Sequence, residues 1–366
     1  MKLNPVLERL TPYRAGPPLA AVQERYNLQR IARLSANESP VGPFPEVIEA
    51  LKGALEGLNR YPDGWAADLR GVIAQQLNVP ESCLVFGNGS CELLILLAEA
   101  FLGPDHHAVF PLPSFVMYEM TALANSAPYT AVVQPQLQYD VEALLAAVTE
   151  QTALITVCNP NNPTGDYLEP RHLRSFLDRV PEQTVVVLDE AYGEFVTAAA
   201  DEDTAPWIAD YPNLVILRSF SKIYGLAGLR IGYGIARPEV IDALDKLRQP
   251  FNVGTLSQVA ALESLRHPER MEERRAHVDS ERRRLSAELA AMGVRVLPSQ
   301  ANFLLVNVEE LVVPADQATQ AMLEHGVMIR SGAAMGCPGW IRVSIGTVTE
   351  NDHFLNALRE LRGMES

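Results

Sequence analysis

The sequence predicts an α/β protein: a large domain on a mostly parallel sheet, followed by a smaller α+β domain. Three observations carry this. Short apolar runs recur at 83–86, 108–110, 153–157, 185–188 and 214–217, each the length of a buried strand. Helical patterns lie between them; in "SCELLILLAEAFL", Leu93, Leu94, Leu97, Phe101 and Leu102 recur near the 3.6-residue period. The composition then changes after about residue 255, where charge-rich helical sequence replaces the alternation.

Taken in order, strand–helix–strand repetition leads to a parallel sheet covered by helices. A strand buried on both faces is apolar throughout, and "VVVL" at 185–188 fits. Residues 197–206, "TAAADEDTAP", predict an exposed loop. Residues 264–290 predict a charged amphipathic helix after the break at Pro268, its arginines forming a solvated face rather than a nucleic-acid patch. Apolar segments at 294–297 and 303–307, a helix near 315–325 and "GWIRVSIG" at 339–346 complete the smaller domain. The expected division is an N-terminal arm at 1–36, a large domain at 37–250 and a small domain at 251–366.

With 366 residues, 48% hydrophobic and 20% charged, the chain can bury a sizeable core. A net charge of −15 argues against general nucleic-acid binding and requires any anionic ligand to be met by local cations or helix N-termini. Cys83, Cys91, Cys158 and Cys337 have no paired spacing and are expected to be reduced thiols. The seven histidines form no metal-ligand pattern, so no metal is expected. The N-terminal stretch lacks a signal-peptide core and no run of about 18 apolar residues occurs, so a cytoplasmic location and no membrane partner are expected.

Four motifs follow predicted strands, where ligands bind in open α/β sheets. "FGNGSCELL" ends a strand in Gly87-Asn88-Gly89-Ser90 and opens a helix, a phosphate cradle that is a weak signal by itself. "CNPNNPTG" at 158–165 is a rigid turn whose asparagines can donate to a phenolic ring oxygen. In "VVVLDEAYGEF", Asp189 ends a buried strand and needs a cationic partner, with Tyr192 close by. A protonated ring nitrogen or Mg²⁺ would serve it equally. "RSFSKIYGLAGLRIGYG" supplies Ser219, Ser221, Lys222 and Arg230. It is not a P-loop, because the lysine precedes the glycines. Serines and arginine suffice for a phosphate, which frees Lys222 to form a Schiff base with an aldehyde. One cofactor asks for all four motifs, pyridoxal 5′-phosphate, with Lys222 also placed as the general base.

These strings, with "LTPYRAG", "RLSANESPVGPFP", "RYPDG", "PFNVG", "SQANFLL" and "IRSGAAMGCPGWIRVSIGT", resemble the fold-type I aminotransferases in order and spacing over nearly the whole chain. Within them the chain resembles the histidinol-phosphate aminotransferase family. The resemblance implies a mostly parallel seven-stranded sheet and a homodimer with shared active sites. It implies Lys222 as the covalent anchor, Asp189 at the ring nitrogen, and Tyr192 with Asn162 (Asn159 as the alternative) at the ring oxygen. Asn88, Gly89, Ser90, Ser219, Ser221 and Arg230 would surround the phosphate, Phe115 would stack on the ring, and Tyr61 would reach the neighbouring subunit's phosphate. Arg342 would clamp a substrate carboxylate, Arg330 a second anionic group, and Tyr13 and Asn37 would line the substrate entrance. Two departures stand out: Cys91 replaces a common Asp, and "AAMGCPGW" adds few cations near Arg330 and Arg342.

The implied reaction transfers the amino group of L-histidinol phosphate to 2-oxoglutarate. Aromatic amino acid transamination and decarboxylation of threonine phosphate are the alternatives on the same framework. A transcription regulator with this fold would carry a winged helix domain, and about 35 residues ahead of the first cofactor motif are too few. A Rossmann dehydrogenase is excluded because no GxGxxG follows the first strand.

Overall fold

The apolar runs become strands. The computed structural model describes residues 1–3, 5–12, 16–309 and 316–363. Its strands are β1 (Ala32–Arg33), β2 (Leu84–Gly87), β3 (His107–Leu112), β4 (Tyr129–Val133), β5 (Thr152–Cys158), β6 (Val185–Asp189), β7 (Leu214–Ser219), β8 (Gly232–Ile235), β9 (Phe303–Asn307), β10 (Val327–Met328), β11 (Arg330–Ser331) and β12 (Trp340–Ser344). β2 to β8 form one seven-stranded sheet in the order β2-β8-β7-β6-β5-β3-β4. Only β8 is antiparallel to its neighbours, so β2 runs parallel to β7 across it. The carboxyl ends of β2, β5, β6 and β7 therefore share one edge of the sheet.

Alternate residues of the central strands enter different cores, as the two-residue period requires. Val186, Leu188, Leu214 and Ile216 pack into one core, and Val185, Val187, Val215 and Leu217 into another. Helix Ser90–Phe101 covers the second of these faces with Leu93, Leu94, Leu96 and Leu97.

The C-terminal strands form a separate antiparallel sheet, β11-β12-β9. The apolar segment 294–297 contributes only the bridge Val296–Val306. The arm joins this part of the molecule, because β1 pairs in parallel with β10. Its core takes in Ala32 and Leu34 from the arm and Ala191, Tyr192, Phe195 and Ile223 from the ends of the large sheet. The residues at the chemically interesting edge are thus gripped from both sides.

Helix Pro268–Ala291 starts at the proline, at the position where its missing N–H costs nothing. A separate helix, Thr255–Leu265, precedes it and packs Ala260 and Ala261 into the large-sheet core. The loop expected at 197–206 is exposed only in its first part. Thr204 and Ala205 are buried, Thr204 Oγ1 donates to Glu190 at 2.7 Å, and Arg218 donates to Asp203 at 2.7 Å. No helix among the described residues is long and apolar enough to cross a membrane.

Candidate active site

A cavity of about 500 Å³ opens at the shared strand edge, a size suited to a small ligand. Asn37, Ser90, Phe115, Asn162, Asp189, Tyr192, Ser219, Ser221, Lys222, Arg230 and Arg342 all line it. A larger cavity of about 630 Å³ lies behind Ile223 and contains none of these residues. Chemistry, not volume, distinguishes the two.

Lys222 follows β7 and is half-buried, with Nζ donating to the Ala36 carbonyl at 3.3 Å and lying 5.6 Å from the centre of the Tyr192 ring. Burial, reinforced by the charge of Arg342, lowers its pKa to about 8. A usable fraction of neutral amine therefore exists near neutral pH, as nucleophilic attack on an aldehyde requires.

Asp189, at the end of β6, is 3% exposed. Burial pushes its carboxyl up to about 6, against the opposing effect of its hydrogen bonds. The Tyr118 hydroxyl donates to Oδ2 at 2.9 Å and the Ala191 N–H to Oδ1 at 3.2 Å. Both donors are neutral. Tyr118 was not singled out in the sequence, although it stands in "PSFVMY" three residues after Phe115. The signal was the cost of burying a carboxylate, which calls for a nearby donor.

The Tyr192 hydroxyl accepts a hydrogen bond from Asn37 Nδ2 at 3.1 Å, a bond that does not use its own proton. Asn37 was expected at a substrate entrance. It is instead 1% exposed, in the left-handed region at φ 53°, with both ends of its side chain engaged. Its N–H donates to Ser344 Oγ at 2.8 Å, the Ser344 hydroxyl donates to Oδ1 at 3.0 Å, and Asn302 donates to its carbonyl at 3.1 Å. Asn37 thus ties Tyr192 to β12, a role invisible in the sequence because Tyr192 and Ser344 lie 155 and 307 residues away.

Of the two candidate asparagines, Asn162 faces the cavity. Asn159 spends its side chain on Leu168, donating to its carbonyl at 3.0 Å and accepting from its N–H at 2.8 Å. Asn162 Oδ1 accepts from Arg342 Nη1 at 2.6 Å, while Arg342 Nη2 donates to the Ser35 carbonyl at 2.8 Å. Arg330 is absent from the cavity lining, but its Cα is the register partner of Arg342, so both side chains leave the same face of the small sheet.

At the Gly-rich turn, a Cβ on Gly89 (φ 74°) would lie 2.5 Å from the Arg230 guanidinium, and one on Gly232 would lie 2.7 Å from the Ser90 nitrogen. Only glycines let the arginine and β8 approach the helix N-terminus this closely. Arg230 donates to Ser221 Oγ at 3.2 Å and to the Asn88 carbonyl at 3.3 Å, and the Ser221 N–H donates to Ser219 Oγ at 3.1 Å. Two hydroxyls, a helix N-terminus and a guanidinium thus converge on one spot, a combination suited to a phosphate. Asn88 differs from expectation. Its N–H donates to Glu92 at 2.6 Å and its side chain to the Asn252 carbonyl at 2.8 Å, so it braces the turn from outside the cavity. Gly89 likewise shapes the turn without lining the cavity.

Phe115 forms one wall, edge-on to Tyr118 at 5.9 Å. Tyr61 is not among the residues lining its own chain's cavity; it is 82% exposed and stacked on Phe251 at 4.7 Å. Tyr13 lies outside the described residues. Cys91, on the first turn of its helix, lines the cavity, and burial holds its thiol above the usual range.

Comparisons with known proteins place the chain in a family. The family model for aminotransferase class I and II matches residues 29–358. A histidinol-phosphate aminotransferase from Halalkalibacterium halodurans is 40% identical over 365 residues, spanning 100% of this chain and 98% of that protein. One from Bacillus subtilis is 39% identical and covers 99% of this chain and 100% of its own length. The crystal structure of histidinol-phosphate aminotransferase from Sinorhizobium meliloti, solved in complex with pyridoxal 5′-phosphate, superposes with a TM-score of 0.91 at 29% identity, covering 99% of this chain and 98% of that one. On a match that runs from the arm to the last helix, the chain belongs to the class I and II aminotransferases.

Proposed function

We propose that the protein is a pyridoxal 5′-phosphate-dependent aminotransferase that moves the amino group of L-histidinol phosphate to 2-oxoglutarate, giving imidazole acetol phosphate and L-glutamate. The observation that carries the reading is Asp189, a buried carboxylate served by neutral donors, in one cavity with Lys222 and the Ser219–Ser221–Arg230 cluster. A protonated ring nitrogen would supply the charge Asp189 lacks, and the Ser219–Ser221–Arg230 cradle would hold a phosphate. The relatives' names point to the substrate.

When bound, the cofactor supplies an electron sink for the carbon that carries the amino group. The chain does the rest. Asp189 would keep a proton on the ring nitrogen. Lys222 would anchor the aldehyde group and, as a free amine, would serve as the base that moves the substrate Cα proton. Tyr192 and Asn162 orient the ring oxygen, Phe115 covers a ring face, and Ser90, Ser219, Ser221 and Arg230 hold the phosphate. Arg342 binds the carboxylate of glutamate and 2-oxoglutarate, with Arg330 beside it for a second anionic group such as the substrate phosphate.

In this reading residues 37–250 carry the cofactor and residues 251–366 form the smaller domain, which the arm 1–36 joins through β1. The working unit is a homodimer in which Tyr61 reaches the partner's cofactor phosphate. Its exposure, beside Trp65 at 60% and Phe251 at 45%, leaves an aromatic patch suited to a self-contact. Sedimentation at micromolar concentration is expected to give twice the chain mass, and a fully active monomer would reject this part.

The substrate assignment is tested by kcat/KM for histidinol phosphate, phenylalanine, tyrosine and threonine phosphate, each with 2-oxoglutarate. Histidinol phosphate is expected to lead. A higher value for phenylalanine or tyrosine would reassign the enzyme to aromatic amino acids, and CO₂ release from threonine phosphate would make it a decarboxylase. Arg342→Ala is expected to raise KM for glutamate about 10- to 100-fold, since hydrogen bonds to charged groups are worth about 1.5–3 kcal/mol. An unchanged KM would remove Arg342 from the carboxylate site.

A further inference from the structure

We propose that Tyr118 is a positioning residue: its hydroxyl holds the Asp189 carboxylate oriented toward the cofactor's ring nitrogen and ready to pair with it. The proposal rests on the cofactor assignment above.

The two donors to Asp189 occupy different oxygens, Tyr118 on Oδ2 at 2.9 Å and the Ala191 N–H on Oδ1 at 3.2 Å. A carboxylate held at both oxygens has a fixed plane. The Ala191 bond is local to the turn after β6, so any chain would make it. The Tyr118 bond spans 71 residues and depends on one side chain. Tyr118 is 3% exposed on helix Met117–Ala124 and is not among the residues lining the cavity, so it acts through Asp189 and not on the ligand. Its ring is clamped by Phe110 at 6.4 Å and by Phe115 at 5.9 Å. The ring that walls the cofactor and the ring that orients the carboxylate therefore pack as a unit, and both are set by the short segment after β3.

The ionisable groups around Asp189 are Tyr118, Tyr139, Tyr192, Cys91, Cys158, Glu190 and Lys222. Burial holds the phenols and thiols above their usual ranges, so they stay neutral below pH 8. Glu190 is paired with Arg218 at 2.9 Å. Lys222, lowered to about 8, titrates in every variant alike, so the shift between variants, not the absolute midpoint, reports on Asp189.

The test dialyses holoenzyme across pH 5 to 8 and reads the remaining visible absorption. Tyr118→Phe removes one hydroxyl, and the midpoint of cofactor loss is expected to move up by about one pH unit. Tyr118→His, which keeps a ring donor, is expected to stay closer to wild type than the Phe variant. In an Asp189→Asn background, adding Tyr118→Phe is expected to leave the fraction of cofactor retained at each pH unchanged. A wild-type midpoint in Tyr118→Phe, or full additivity with Asp189→Asn, would overturn the proposal. If Tyr118→Phe does not fold, Tyr118→His decides: retention near wild type supports the donor role, and a folded His variant whose midpoint rises by a unit or more, about as far as expected for complete loss of the bond, opposes it. A wild-type protein with no visible band would remove the cofactor assignment itself, an outcome distinct from an unmoved midpoint.

Discussion

Replacing Lys222 with alanine is expected to abolish the covalent cofactor adduct and to lower kcat by about 10³-fold or more. A positioned general base contributes about 10²- to 10⁴-fold on its own, and in the proposed mechanism this lysine is also the anchor. Its surroundings suit both tasks. The amine is half-buried, faces the Tyr192 ring and shares its cavity with Arg342, and its pKa falls to about 8. Attachment of cofactor to the apoprotein should therefore quicken as pH rises through about 8, because only the neutral amine attacks. Lys222→Arg keeps the charge and loses the nucleophile, so it should be as inactive as the alanine variant. Stopped-flow absorbance with saturating amino donor separates the losses. Wild-type turnover in either variant would remove Lys222 from the chemistry.

The second large effect is expected at Asp189. Asp189→Asn keeps the size of the side chain and an oxygen for Tyr118, but loses the charge that would hold a proton on the ring nitrogen. Removing one partner of a buried charge pair costs about 3–5 kcal/mol, so kcat/KM should fall about 10²- to 10⁴-fold. In the apoprotein the carboxyl is raised to about 6, above the ordinary value near 4. Below about pH 6 it is protonated and cannot pair with a protonated ring. Cofactor affinity should therefore show a step with pH near 6 in wild type that is missing in the Asn variant, as read by equilibrium dialysis. A pH-dependent wild-type curve preserved in Asp189→Asn would mean that another group controls binding.

The sequence exposed those parts of the molecule whose signal is local. Continuous apolar runs located β2, β3, β5, β6 and β7, because strands buried on two faces need no alternation. It was silent on β8, "GYGI", since short glycine-rich sequence reads as a turn. β8 is nevertheless what turns β2 parallel to β7 and brings the Gly-rich cradle beside Lys222. β4, "YTAVV", was also unread. The contents of the site followed from strand-end motifs, and Asp189, Lys222, Ser219, Ser221 and Arg230 all face one cavity.

What the motifs did not reveal was the support beneath them. Asn88 turns to Glu92 and Asn252, Asn37 is locked to Ser344 and Tyr192, and Tyr118 grips Asp189. Each of those roles depends on a partner's direction in space, which spacing along the chain does not encode. Asn159 and Asn162 make the point sharply: three residues apart in one turn, one closes the loop on Leu168 and the other meets Arg342 in the cavity.

Lys222 as the anchor is the central claim, and it is easy to test, because the chain has four lysines in all: Lys2, Lys52, Lys222 and Lys246. Borohydride reduction of the holoenzyme followed by peptide mass mapping should place the pyridoxyl phosphate mass on Lys222 alone. A label on Lys2, Lys52 or Lys246 in its place, or no label on a protein that transaminates, would contradict the account.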